Sequence, residues 1–114
     1  MKNIINIPNW INGQEAQPEN DSWLDKFNPH SGKLLSRVAD SSAADTQVAI
    51  SAAVDAFPDW SNLPPVKRGQ ILADIVTAMK GRADELAECI ALETGKPPQD
   101  AKGEVGGAIL QAEF

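Results

Sequence analysis

The chain has 114 residues, 42% of them apolar, which allows one small domain, or a piece of a larger one, with a modest core. Ten Lys and Arg against sixteen Asp and Glu give a net charge of −6, and with no basic run this excludes a nucleic-acid or anionic-membrane surface. A single cysteine, Cys89, and a single histidine, His30, exclude an internal disulfide and a zinc constellation and fit a reducing compartment.

Taken in order, Met1-Lys2-Asn3-Ile4-Ile5-Asn6-Ile7-Pro8 carries one positive charge, and Asn6 and Pro8 interrupt its apolar stretch, so it lacks the apolar region of a signal peptide. No other run approaches membrane-spanning length, and the expected location is cytoplasmic. Asn12-Gly13 is a tight-hairpin signal, because both central residues of such a turn need positive φ; Trp10 and Ile11 lead in, and Gln14 to Gln17 lead out. Trp23 to Phe27 and Leu34 to Ala39 are the next two strands, separated by the turn residues Asn28-Pro29-His30-Ser31-Gly32-Lys33. Short antiparallel strands are therefore expected over about 9–39.

Ser42-Ala43-Ala44-Asp45 has the form of a capping box, so a helix should begin there. Its face of Val48, Ala49, Ala52, Ala53, Ala56 and Phe57 is rich in alanine, which implies close approach to another backbone, and Pro58 is expected to end it. Helices over about 42–57, 65–80, 83–93 and 98–114 follow from the same reading. Pro65 suits a first helical turn. Ile71, Leu72, Ile75, Val76 and Met79 share one face, which Leu86, Ala87, Ile90 and Ala91 resume after the polar break at Gly81-Arg82. Gly95 can take the left-handed conformation that closes a helix, and Pro97 prevents an immediate restart. Beyond Pro98, Val105, Ala108, Ile109 and Ala112 form a further apolar stripe despite Gly103, Gly106 and Gly107, each of which costs about 1 kcal/mol relative to Ala. The fold class is an α+β fragment, and a periodic pattern still running at Phe114 is read as truncation.

Arg68 before the apolar helices, Glu93-Thr94-Gly95-Lys96-Pro97 after them, the Ile11-Asn12-Gly13 hairpin, Phe27-Asn28-Pro29 with Gly32-Lys33, and Ala53 through Trp60 together resemble the NAD(P)-dependent aldehyde dehydrogenase superfamily. Ser31 and Lys33 depart mildly from the family's usual Thr and acidic residue in the turn. The resemblance covers Trp10 to Phe114 and implies that residues 1–114 are the N-terminal segment of a larger α/β enzyme with a Rossmann-like coenzyme domain. It further implies a homo-oligomeric parent that oxidises an aldehyde to a carboxylic acid with NAD or NADP, through a cysteine thiohemiacetal. Neither the nucleophile, the general base nor the coenzyme loops are expected in these residues, so the fragment alone should be inactive and bind no cofactor. In some relatives, main-chain carbonyls near the positions matching Lys26 and Glu93 hold a monovalent cation, and the resemblance implies these two residues as metal ligands here.

Four other features invite a chemical reading. Cys89 lies one turn from Glu85 and Glu93 with no cation nearby in sequence, conditions that do not activate a thiol, and reads as a helix-packing residue. His30 beside a turn glycine reads as a solvated turn residue. Gly103-Glu104-Val105-Gly106-Gly107 lacks both phosphate-loop patterns and reads as a helix–helix contact. Lys96 beyond a helix end reads as a capping lysine that meets the negative end of the dipole. The alternative to the enzyme segment is a free-standing helical interaction module offering an Ala-rich groove to a partner helix.

Overall fold

The computed structural model describes residues 4–114. Two compact units emerge: the first takes the chain through Phe27 together with Gly32–Asn62, and the second takes Asn28–Ser31 together with Leu63–Phe114.

In the first unit, β2 (Asn9–Ile11) and β3 (Gln14–Ala16) form the expected hairpin, with Trp10 opposite Glu15. Asn12 and Gly13 take φ of 53° and 76°, so the turn is made by the residues that bear positive φ at least cost. A separate sheet has the order β1-β5-β4, with β4 at Trp23–Phe27 and β5 at Leu34–Ala39 paired antiparallel as expected. To the antiparallel strands the structure adds β1 (Ile5–Ile7), which runs parallel to β5 with Ile5 opposite Ser36. Two β-branched residues favour the extended chain there, but a parallel partner thirty-odd positions away leaves no local signature. Central placement buries Ser36, whose hydroxyl finds no hydrogen-bonding partner among the described residues.

Helix α1 (Ala43–Asn62) starts with the reciprocal bonds of a capping box: Ser42 N–H donates to Asp45 Oδ2 at 2.8 Å, and Asp45 N–H donates to Ser42 Oγ at 3.1 Å. Contrary to expectation, Pro58 does not end the helix, which continues four residues to Asn62. The proline removes one i→i−4 bond, and the helical bonds on either side outweigh that single loss. Half-buried Ala49 and Ala52 lie beside Trp10 and Ile11 of the hairpin, the backbone approach that the alanines implied. Nothing in α1 is buried, and Ile50, Val54 and Phe57 stand on its open side, Phe57 64% exposed.

The second unit is a three-helix assembly of α2 (Pro65–Gly81), α3 (Ala83–Thr94) and α4 (Pro98–Glu113). Its core is Val76 of α2, Ala87 of α3, and Ala101, Val105 and Ile109 of α4. The α4 residues recur every fourth position and so form one stripe. Met79, Ala83, Leu86, Ile90, Ala91 and Ala112 pack around them. Two expectations need correction. Gly103, Gly106 and Gly107 are not helix–helix contacts, since a Cβ on any of them would meet nothing within 4 Å. And the packed side of α2 is Val76 and Met79, with Ile71, Leu72 and Ile75 left exposed. Periodicity marks a wide apolar arc, and tertiary packing selects only one edge of it.

Ala101 is 0% exposed, so Ala101→Leu should overpack the core and cost roughly 1–3 kcal/mol in urea unfolding, whereas Ile50→Ala should change stability by less than about 0.5 kcal/mol. The Asp45 carboxyl is held below the ordinary aspartate range, chiefly by the Ser42 N–H, against the opposing cost of partial burial, with help from the Glu19 N–H and the Ser42 hydroxyl. A depressed folded-state value means that the stabilisation is complete above the unfolded value and disappears as pH falls through the folded one. The gap in melting temperature between the parent chain and Asp45→Ala should therefore narrow below about pH 4; a constant gap from neutral pH downward would contradict this.

Candidate functional site

Several hydrogen bonds meet where α3 stops. Gly95 takes φ 75°, and its N–H donates to the Ala91 carbonyl at 3.0 Å, so the left-handed residue closes the helix as its type allows. Against it sits the turn Asn28–Ser31. Asn28 Oδ1 accepts from the N–H groups of His30 at 2.9 Å and Ser31 at 3.1 Å, folding the turn on its own side chain. The His30 ring then reaches the Gly95 carbonyl at 2.8 Å, and because a carbonyl only accepts, Nε2 carries the proton. His30 is thus exposed but not merely solvated. Its role escaped the sequence because the partner is 65 positions away.

Asn28 and His30 on one side, and Ala87, Ala91, Leu92, Pro97 and Pro98 on the other, wall an open concavity of about 480 Å³. Its rim carries two ion pairs to α4: Lys96 Nζ, just past the end of α3, to Glu104 at 2.7 Å, and Lys102 Nζ to Asp84 in the first turn of α3 at 3.5 Å. Lys96 therefore pairs with a carboxylate in α4, a sharper interaction than the helix dipole expected to hold it. Both pairs are largely exposed and contribute little net stability, within about 1 kcal/mol each. Cys89 is exposed on α3, so the packing role expected for it does not hold within this chain. At the start of the same helix, the capping residue Arg82 grips Glu85 through two bonds of 2.9 and 2.7 Å and holds its carboxyl below the usual range.

The two residues singled out for main-chain cation binding fall in different units. Lys26 lies in β4 opposite Ser36, at the register shift before Phe27. Glu93 lies in the last turn of α3. Among the described residues no group of three or more His, Cys, Asp or Glu is placed to hold a metal ion. No described helix is long and apolar enough to cross a membrane.

Residues 16–114 match the aldehyde dehydrogenase family model. The chain belongs to the aldehyde dehydrogenase family. Malonate-semialdehyde dehydrogenase of Bacillus velezensis is 33% identical over 114 residues, all of this chain and 23% of that protein. Lactaldehyde dehydrogenase of Escherichia coli K12 is 38% identical over 101 residues, 89% of this chain and 21% of that protein. Among solved structures, lactaldehyde dehydrogenase from Escherichia coli superposes with a TM-score of 0.92 at 34% identity, over 96% of this chain and 23% of the other. PnpE in complex with nicotinamide adenine dinucleotide gives 0.91 at 31%, over 94% and 22%. This aldehyde dehydrogenase chain thus spans less than a quarter of the length of the curated relatives it matches.

Among the glycines of this family segment, Gly95 alone is confined both by its φ and by neighbouring atoms. A Cβ there would stand 2.9 Å from Pro29 Cγ and 3.1 Å from His30 Nε2, in addition to the left-handed backbone. Gly95→Ala should destabilise by roughly 1–3 kcal/mol in a thermal or urea melt, the conformational cost plus the displaced turn. An unchanged melt would remove the helix stop as a constraint.

Proposed function

We propose that the chain is the N-terminal segment of an NAD(P)-dependent aldehyde dehydrogenase that oxidises an aldehyde to a carboxylic acid, and that its own task is to pack helices and a small sheet against the rest of that enzyme. The observation that carries this reading is the family match across residues 16–114 in a chain less than a quarter as long as its relatives. The exposed Ile50, Val54 and Phe57 of α1 and Ile71, Leu72 and Ile75 of α2 support it, since apolar surface in such stripes is surface for a further partner. In the full-length enzyme NAD or NADP accepts the substrate's hydride. The residues here do not fit that coenzyme. The described strand-to-helix turn, β5 to α1, contains no glycine, and its capping groups are engaged by Ser42 and Asp45 where a phosphate would need free N–H groups.

Relatives named for malonate semialdehyde and lactaldehyde favour a short polar aldehyde as substrate, and the parent is proposed to be a cytoplasmic homo-oligomer. Main-chain carbonyls of Lys26 and Glu93 are proposed as monovalent-cation ligands of the full-length enzyme. In support, the helical donor for the Glu93 carbonyl would be residue 97, a proline without an N–H, and the shift after Lys26 interrupts the β4–β5 ladder.

Replacing the matching segment of the Bacillus velezensis enzyme with residues 1–114 tests the proposal. The chimera should reduce NAD with malonate semialdehyde; a folded chimera that binds NAD but never turns over would contradict it. The 114-residue chain by itself should show no heat of binding on titration with NAD, and saturable micromolar binding would overturn that assignment.

A further inference from the structure

We propose that the outer edge of β3 accepts a further strand, supplied by the parent enzyme from outside residues 1–114 and laid along an open groove over α1. The proposal rests on the reading that the chain is a segment of a larger aldehyde dehydrogenase. Among the described residues β3 pairs only with β2. The two-residue Asn12–Gly13 turn makes Ile11 and Gln14 a hydrogen-bonded pair, and because such pairs alternate along an antiparallel ladder, Asn9 and Ala16 form the next one. Glu15, between them, therefore turns its N–H and carbonyl outward, where an added strand would take both. Bordering β3 is a groove of about 770 Å³, walled by Gln14 and Ala16 of the strand and by Val48, Ser51 and Asp55 of α1. Val48 is 59% exposed there, apolar surface for one inward-facing side chain of the added strand.

Charge selects the occupant. Among the described residues lining the groove Asp55 is the only charged one, and α1 carries Asp45, Asp55 and Asp59 with no Lys or Arg. Gln14 and Ala16 face the groove, so the Glu15 side chain stands on the opposite face of the strand. A second copy pairing β3 with β3 would set Glu15 against Glu15, and like charges directly opposite are destabilising. The strand expected there carries a Lys or Arg opposite Glu15 and an apolar residue beside it, over Val48. Relatives more than four times as long as this chain have the length to supply it.

Residue-resolved hydrogen exchange tests this on the 114-residue chain and on the same chain joined to the matching remainder of the Bacillus velezensis enzyme. The Glu15 amide should exchange freely in the isolated chain at every concentration, and about ten-fold slower or more in the joined protein. Glu15→Ala keeps the outward N–H, and Glu15→Pro removes it at a position where the hairpin does not use it. The two variants should melt together in the isolated chain, while in the joined protein Glu15→Pro should melt lower. Val48→Gln should likewise be silent in the isolated chain and lower the melting temperature of the joined protein. Three results would overturn the proposal: unslowed Glu15 exchange in a joined protein that binds NAD, equal melts of Glu15→Pro and Glu15→Ala there, or Glu15 protection in the isolated chain that rises with concentration, which would make the occupant a second copy. A joined protein that protects Glu15 and binds NAD but never turns over would support the added strand while contradicting the enzyme reading, so the two fail separately.

Discussion

Burial of one stripe of α4 holds the helical unit together. Ala101, Val105 and Ile109 are three of the five buried core residues, and the other two, Val76 and Ala87, come one each from α2 and α3. Small side chains let the three helices approach closely, but they also remove little apolar area from water, and stabilisation scales with that area at roughly 25 cal/mol per Å². Such a core depends on α4 turning back at the right angle. That direction is set at Gly95, where the left-handed backbone ends α3 and the prolines at 97 and 98 begin the next helix. The geometry of one glycine and the packing of one stripe are therefore two halves of the same constraint.

Outside that core the chain exposes much of its apolar surface. Trp10 is 70% exposed, α1 buries nothing, and three of the five residues in the apolar arc of α2, Ile71, Leu72 and Ile75, are exposed. Within a family whose members are more than four times as long, these faces belong to a segment of a larger body. The chemistry of the site agrees. His30 is committed to a carbonyl, Cys89 stands exposed on a helix, and the capping groups of the strand-to-helix turn are satisfied by its own side chains. The named side chains here position backbone and close corners.

What the sequence disclosed, it disclosed through local rules. Asn12-Gly13, Ser42 with Asp45, Pro65 and Gly95 each act within a few residues, and all four appear as read. Elements governed by distant partners did not show themselves. The parallel pairing of β1 with β5, the choice of Val76 over Ile75 on α2, and the bond from His30 to Gly95 all depend on groups far along the chain. Pro58 shows a local rule overruled, since one missing bond did not outweigh the helical turns on either side. Of the candidate site, the helix stop was legible because glycine carries the φ it needs. The seating of the Asn28–Ser31 turn against it was not, because a histidine's partner cannot be read from its neighbours. The glycines of α4 misled for a related reason: small size permits a close contact but does not supply one.

The buried core of this chain centres on α4, while α1 has no buried residue. Native-state hydrogen exchange, resolved by residue, tests that division most directly. Amides near Val105 and Ile109 should exchange only through global unfolding, while those of α1 near Val54 and Phe57 should exchange through local opening and much faster. Protection of α1 equal to that of α4 would contradict the account, because it would mean that the chain completes its own fold.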